Sequence, residues 1–254
     1  MNAEQSVALV SGAARSIGAA TARELARQGF SVALADIDLE GAQAEAGLLA
    51  GHGHLALRMD VLDEASVVEG FERVEREMGP IRALVSCVGG PVTRSSSPPW
   101  LAGLSLEDWD RTYALNARGQ FLVLRQMLRL RKARPVADAR TVTVSSLAGE
   151  VPWNPTGCHY ASSKAAVIAM TKFAAVEAAS LGMTVNCVAP GAIDGPAFRA
   201  TLDDQTIARL IEATPIKRLG TAADVAATIA WLLSEGAGYI TGATIDVNGG
   251  RRMA

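Results

Sequence analysis

The feature that most constrains this chain is a regular alternation. Short runs of β-branched and apolar residues recur from one end to the other, separated by longer segments with helical spacing. The runs are VALVS (7–11), SVALAD (31–36), LALRMD (55–60), ALVSC (83–87), TVTVSS (141–146), TVNCVAP (184–190) and ATIDVN (243–248). Most are apolar almost without interruption, as expected of strands covered on both faces, and strands alternating with helices pack as a parallel sheet with helices on either side. Helices are expected at 17–28, 63–78, 106–130, 160–180 and 221–233, the last of which, AADVAATIAWLLS, carries its apolar residues at three and four spacing. The expectation is an α/β fold: a doubly wound, Rossmann-type domain with a seven-stranded parallel sheet, spanning 1–254 without repeat or linker.

Two segments break the rhythm. GGPVTRSSSPPWLAG (89–103) is dense in Gly, Pro and Ser, and GAIDGPAFRATLDDQ (191–205) follows a strand end and opens an expected substrate loop at about 191–215. Both read as loops on the side where open α/β sheets bind ligands. With 24 Lys and Arg against 26 Asp and Glu, the formal charge is −2, so a nucleic-acid partner is not expected and a small molecule is. Cys87, Cys158 and Cys187 are odd in number and widely spaced, which suggests neither a disulfide framework nor a metal site. No apolar run reaches the roughly 18 residues of a membrane span, and the N-terminus shows no basic-then-apolar leader; the expectation is a cytoplasmic protein with no membrane partner.

SGAARSIG (11–18) directly follows the first strand and opens a helix, the context of a phosphate-binding turn. Gly12 permits a tight turn, Gly18 permits close packing of helix on strand, and the helix-start amides can face a pyrophosphate. Asp36 ends the second strand, 18 residues beyond Gly18, where an acidic side chain meets the adenine ribose in dinucleotide folds. A carboxylate there accepts hydrogen bonds from both ribose hydroxyls and repels a 2′-phosphate, which favours NAD over NADP. Arg15, within the turn, argues the other way, and Asp36 weighs more because an anion facing an anion in a partly buried pocket is costly.

HYASSK (159–164) places Tyr160 and Lys164 one helical turn apart, on one face. A neighbouring ammonium favours a phenolate, so the pair reads as a way to bring a phenol whose ordinary pKa is about 10 into use as a general acid and base.

With these motifs in place, the chain resembles the short-chain dehydrogenase/reductase family along nearly its whole length. The likeness rests on SGAARSIG, Asp60 with Val61, ALNARG around Asn116, VSSLAG around Ser146, YASSK, VNCVAPGAID and the closing YITGATIDVNGG. The resemblance implies that Ser146, Tyr160 and Lys164 form a catalytic group with Asn116 as a fourth member. It implies cofactor contacts from Gly12, Arg15, Ser16, Ile17, Gly18, Asp36, Asp60, Val61, Gly89, Tyr160, Lys164, Pro190, Gly191 and Ile193, with Asp60 and Val61 at the adenine ring and the backbone near Ile193 at the nicotinamide amide. It also implies a homotetramer. In that scheme Ser146 holds the substrate oxygen beside the phenol, Lys164 lowers the phenol's pKa and holds the nicotinamide ribose, and Asn116 orients a water leading from Lys164 to solvent. Asn116 also reads as a structural amide tying a helix to a neighbouring strand.

The chain departs from the family pattern at several points. Ser16 stands where the family usually has the middle glycine of the turn. SCVGG replaces the usual Asn-Asn-Ala-Gly after the fourth strand, so Cys87 and Val88 remove polar groups that brace the central strands. Gly195 replaces a hydroxyl residue. Pro91, Leu147, Trp153 and Phe198 read as pocket walls, Arg94 and Arg199 as groups able to meet an acidic substrate, His159 as packing or pocket wall, and His52 and His54 as solvent-exposed. The expected activity is hydride transfer between NAD(H) and a secondary alcohol or ketone. An NADPH-dependent 3-oxoacyl-thioester reductase is the alternative within the same chemistry, and a non-catalytic cofactor-sensing protein the alternative outside it.

Overall fold

The computed structural model describes residues 6–90, 100–151, 156–200 and 202–253. Its frame is a seven-stranded parallel sheet of β1 (Val7–Ser11), β2 (Ser31–Asp36), β3 (Leu55–Arg58), β4 (Ile81–Ser86), β5 (Arg140–Val144), β6 (Thr184–Pro190) and β7 (Thr244–Val247), in the order 3-2-1-4-5-6-7. The helices are α1 (Ser16–Arg27), α2 (Leu39–Ala46), α3 (Glu64–Glu77), α4 (Leu106–Tyr113), α5 (Gly119–Ala133), α6 (Cys158–Ala179), α7 (Pro196–Arg199), α8 (Asp204–Glu212) and α9 (Ala222–Leu232). This is the doubly wound architecture expected from the alternation.

Every residue of β1, β2 and β5 is buried, and alternate side chains serve opposite faces. Val7 and Leu9 of β1 join a core with Phe71 of α3, Leu122 and Met127 of α5 and Ala174 of α6. Ala8 and Val10 join the opposite core with Leu25 of α1 and Val225 and Ile229 of α9. A period of two in one strand thus feeds two apolar layers, which is why these strands read as unbroken apolar runs.

The boundaries differ from expectation for local reasons. β4 starts at Ile81, earlier than expected, because both backbone groups of that residue are held by buried charges: Glu75 Oε1 accepts from its N–H at 2.8 Å, and the Arg131 guanidinium donates to its carbonyl at 3.1 Å. Arg131 and Glu75 also pair with each other. The long helix expected over 106–130 is two helices, α4 and α5, joined by a π-helical turn over Ala114–Arg118. The segment 191–205, read as loop, contains α7 and the start of α8. Asp203 caps α8 by accepting from Thr206 N at 2.7 Å, a signal present in the sequence. His54 is not solvent-exposed as expected: its Nδ1 accepts from Val32 N at 3.1 Å at the start of β2. His52 is exposed.

Because the sheet is parallel, the carboxyl ends of its strands share one rim. The order reverses between β1 and β4, which places a crevice there, and the motif residues cluster around it.

Candidate active site

The turn after β1 is built for close approach. Gly12 has φ +73°, and a Cβ there would meet Val88 N at 3.0 Å; a Cβ on Gly18 would sit 1.9 Å from Gly12 O. Gly12 N donates to Ala35 O at 2.8 Å and Ala14 N to Asp36 Oδ2 at 3.0 Å, so the turn and the end of β2 form one unit. The second carboxylate oxygen of Asp36 accepts from Asp38 N at 3.0 Å. Two backbone amides thereby fix a buried carboxylate at the rim.

The α1 N-terminus has neither a side-chain cap nor an acidic residue in its first turn, and its first main-chain bond runs from Ala19 N to Arg15 O at 3.2 Å. The amides of Ser16, Ile17 and Gly18 therefore lack helical partners and carry the positive end of the helix dipole. Ser16 holds a left-handed backbone, φ 52°, where the family pattern has glycine. Arg15 is exposed beside it. Uncapped amides, a glycine cradle and a fixed carboxylate together suit the phosphates and ribose of a dinucleotide.

Asp60 turns its Oδ1 onto its own loop, accepting from Leu62 N at 2.9 Å. Val61 is buried against Gly119, where a Cβ would meet Val61 Cγ2 at 2.9 Å. At the end of β6, Gly191 N donates to Val247 O at 3.0 Å and Ile193 forms a bridge with Gly220, which sets the course of the chain after Pro190.

The second cluster lies where β4, β5 and α6 meet. Ser145 is buried and donates to Lys164 O at 2.8 Å, which commits its hydroxyl to the helix backbone. Ser146 is partly exposed, caps the short turn that follows by accepting from Ala148 N at 3.1 Å, and lies close enough to Tyr160 to draw the phenol's pKa down. Of the two adjacent serines, only Ser146 thus reaches the phenol. Tyr160 occupies the first turn of α6, whose N-terminus favours negative charge there.

Lys164 lies below it, nearly fully buried, with Nζ 5.9 Å from the Tyr160 ring centroid and donating to Val144 O at 3.0 Å. This differs from the expected electrostatics. Burial raises the Tyr160 phenol above its ordinary pKa and the Ser146 hydroxyl opposes it. Lys164 is aimed at a carbonyl instead, and burial lowers its own pKa to about 8 against the influence of Cys187 and Cys87. Burial also pushes the Cys87 thiol up to about 12.

Asn116, in the π-helical turn, is fully buried with both polar ends engaged: Oδ1 accepts from Gly90 N at 2.9 Å, while Nδ2 donates to Gly90 O at 3.1 Å and Ser163 Oγ at 2.9 Å. These bonds tie α6 to the strand-end loop. Gly89, φ +143°, passes so close that a Cβ would lie 2.6 Å from Lys164 Nζ and 2.8 Å from Asn116 Oδ1.

Several expected site groups are placed differently. Arg199 forms a two-point pair with Asp194, 2.6 and 2.9 Å, and is committed within its own loop. Leu147 is buried; His159, read as packing or pocket wall, is indeed fully buried, with no hydrogen bond to either ring nitrogen and its pKa lowered by burial. Pro91, Arg94 and Trp153 lie outside the described residues. Gln120 was missed: it sits on the apolar stripe of α5 with Val123, Met127 and Leu130, where a polar residue is the anomaly, and its amide reaches both central strands.

Comparison with known proteins agrees with this geometry. Residues 12–252 match the family model described as "Enoyl-(Acyl carrier protein) reductase". The chain is 37% identical over 254 residues to the 3-oxoacyl-[acyl-carrier-protein] reductase FabG of Escherichia coli K12, covering 100% of both. It is 35% identical to the (3R)-3-hydroxyacyl-CoA dehydrogenase of Canis lupus familiaris, covering 97% of this chain and 96% of that one. The 3-oxoacyl-[acyl-carrier protein] reductase structure from Brucella melitensis superposes with a TM-score of 0.88 at 30% identity, over 99% of this chain and 93% of that one. The structure of gox2181 superposes at 0.91 and 28% identity, over 98% and 96%. With its glycine turn, its serine, tyrosine and lysine on one rim and these relatives, the chain belongs to the short-chain dehydrogenase/reductase family of nicotinamide-dependent oxidoreductases.

Proposed function

We propose that this protein is an NAD(H)-linked oxidoreductase that interconverts a secondary alcohol and its ketone, with a 3-hydroxyacyl/3-oxoacyl thioester pair as the first substrate class to try. The relatives' names support that class. The observation that carries the reaction type is the convergence of Ser146, Tyr160 and Lys164 at the β5 end, with Lys164 Nζ 5.9 Å from the Tyr160 ring centroid and held by Val144 O. The observation that carries the cofactor preference is Asp36, buried at the rim and fixed by two amides.

A bound nicotinamide supplies the hydride acceptor or donor and, when oxidised, a positive charge that favours the phenolate. Ser146 donates to the substrate oxygen and positions it beside Tyr160. In the oxidative direction Tyr160 takes the hydroxyl proton; in the reductive direction it returns one to the carbonyl oxygen. The N-terminus of α6 stabilises the phenolate between these events. Lys164, its pKa lowered by burial to about 8, lies below Tyr160 with its ammonium held by Val144 O. Asn116 keeps Gly90 and Ser163 in place around Lys164. The chain acts as a homotetramer: Phe121, Phe173 and Val176 on α5 and α6, and Trp231 and Tyr239 near the β7 edge, give a second and third copy two separate apolar faces.

The test is a thermal melt with NADH and NADPH at matched concentration, followed by initial rates with 3-oxoacyl thioesters and cyclic ketones. A cofactor at 100 times its Kd stabilises the fold by about 2.7 kcal/mol. Stabilisation by NADH and turnover that disappears in Tyr160→Phe are expected. Stabilisation by NADPH alone would overturn the Asp36 reading in favour of Arg15, and unchanged turnover in Tyr160→Phe would overturn the mechanism.

A further inference from the structure

The two central strands part company at the site. β1, β4 and β5 are in register up to Ser11, Ser86 and Thr143. Beyond that level Cys87 N donates to Ser11 O at 3.0 Å, so β4 leans toward β1, while Ser145 N donates to Val188 O at 2.9 Å, so β5 leans toward β6. The result is a fork. One prong leads to Gly89, which lines the Lys164 ammonium; the other leads to Ser145 and Ser146.

Val88 O and Val144 O lie beyond the last pairing of the two strands, Ser86 with Thr143, and so lack the ladder partners that the rest of the sheet has; a buried carbonyl needs a donor. Here the donor is a side chain. Gln120 Nε2 lies 3.1 Å from Ser86 O, 3.0 Å from Val88 O and 3.4 Å from Val144 O, touching both prongs at once. Val144 O is also the carbonyl that accepts from Lys164 Nζ at 3.0 Å. Gln120 Oε1 finds no partner although the residue is fully buried. Packing alone selects an apolar side chain at such a position, since an unmet buried acceptor is unfavourable. The donor end must therefore supply what the acceptor end loses.

We propose that Gln120 is a positioning residue for the reaction: its amide fixes the width of the fork, and through Val144 O it sets the Lys164 ammonium relative to Ser146 and Tyr160. It takes over the bracing that Cys87 and Val88, both without a suitable polar group, do not provide. This rests on the assignment of Ser146, Tyr160 and Lys164 made above.

The test compares the parent with Gln120→Met, which keeps the volume and removes the donor, and Gln120→Asn, which keeps the amide on a shorter stem. Melting temperature, NADH affinity by fluorescence, kcat, KM and the pH profile of kcat are measured for each, with crystal structures of parent and Gln120→Met. The expected result for Gln120→Met is near-parental melting and NADH binding, kcat lower by about tenfold, a displaced pH profile, and a wider separation of Val88 O from Val144 O. Gln120→Asn recovers part of kcat. A lower melting temperature with unchanged kcat and pH profile overturns the proposal, as does a Gln120→Met structure that superposes on the parent at Val88, Val144 and Lys164. If Gln120→Met does not fold, the Gln120→Asn variant decides by the same readouts. A parent without turnover refutes the assignment of the catalytic group instead, and the crystal comparison still decides whether Gln120 sets the fork.

Discussion

Gly89→Ala is the sharpest perturbation of the proposed site, because one methyl group meets two of its members. The new carbon would stand 2.6 Å from Lys164 Nζ and 2.8 Å from Asn116 Oδ1, against about 3.5 Å for an ordinary nonbonded approach. A lysine tip is usually free to retreat. This one is tied to Val144 O at 3.0 Å, and Asn116 Oδ1 is tied to Gly90 N at 2.9 Å, so relief requires breaking one of those bonds or moving the Gly89 turn. The backbone at φ +143° adds its own strain for a residue with a Cβ, of about 1–3 kcal/mol, which in a chain of this size lowers Tm by roughly 3–10 °C. A displacement near 1 Å at a reacting constellation costs about 100-fold in rate, equivalent to about 2.7 kcal/mol of transition-state stabilisation. Steady-state kinetics of the thioester or ketone reduction, with a melt on the same preparation, reads both quantities. A folded Gly89→Ala enzyme with kcat within about threefold of the parent, far short of that loss, would show that Lys164 is not held where catalysis needs it.

Glu75→Ala strands the Arg131 guanidinium, whose side chain is 1% exposed, and should cost about 3–5 kcal/mol by chemical denaturation, whereas a paired apolar replacement of both residues should cost far less. Ser16→Gly relieves the left-handed backbone at φ 52° and should leave stability unchanged or raise it by up to about 1 kcal/mol, read from the denaturation midpoint. Glu150, near Asp246 and Arg252, has its pKa raised by burial and by the neighbouring Asp246 carboxyl, against Arg252 and Lys172. Its stabilisation is complete below the ordinary glutamate value of 4.5 and is lost as pH rises through the higher folded value. Glu150→Gln should therefore melt increasingly above the parent as pH rises through that folded value; parallel melting curves for the two proteins would refute this.

The sheet was legible because a strand buried on both faces is mostly apolar, with few polar residues such as Asp36 and Asn186, so β1, β2 and β6 could be bounded to the residue from their runs alone. Ser146 could be preferred over Ser145 from pattern, and the structure separates them physically by committing Ser145 to Lys164 O. The electrostatics of Tyr160 were not legible. Helical spacing puts Lys164 on the same face but cannot show that its ammonium points to Val144 O or that burial dominates the phenol. Arg199 looked available because its partner Asp194 lies five residues away across a turn that no periodicity announces. Gln120 escaped notice for a related reason: a glutamine on an apolar stripe is visible, but its purpose depends on a fork between strands that are separated by more than fifty residues.

The π-helical turn over Ala114–Arg118 acts on the helix as a change of phase. An i to i+5 turn holds one residue more than the α-helical ladder allows, so everything downstream is rotated by about 100° relative to a straight continuation of α4. That rotation aims Asn116 at α6 and Gln120 at the fork. Deleting a single residue downstream of Asn116 within the turn would restore a regular helix, keep the apolar content of the segment almost intact and turn the Gln120 amide away from the strands it serves. The local tolerance of this helix to insertion and deletion is thus the opposite of a surface loop's: the frame survives a substitution more readily than a change in length by one.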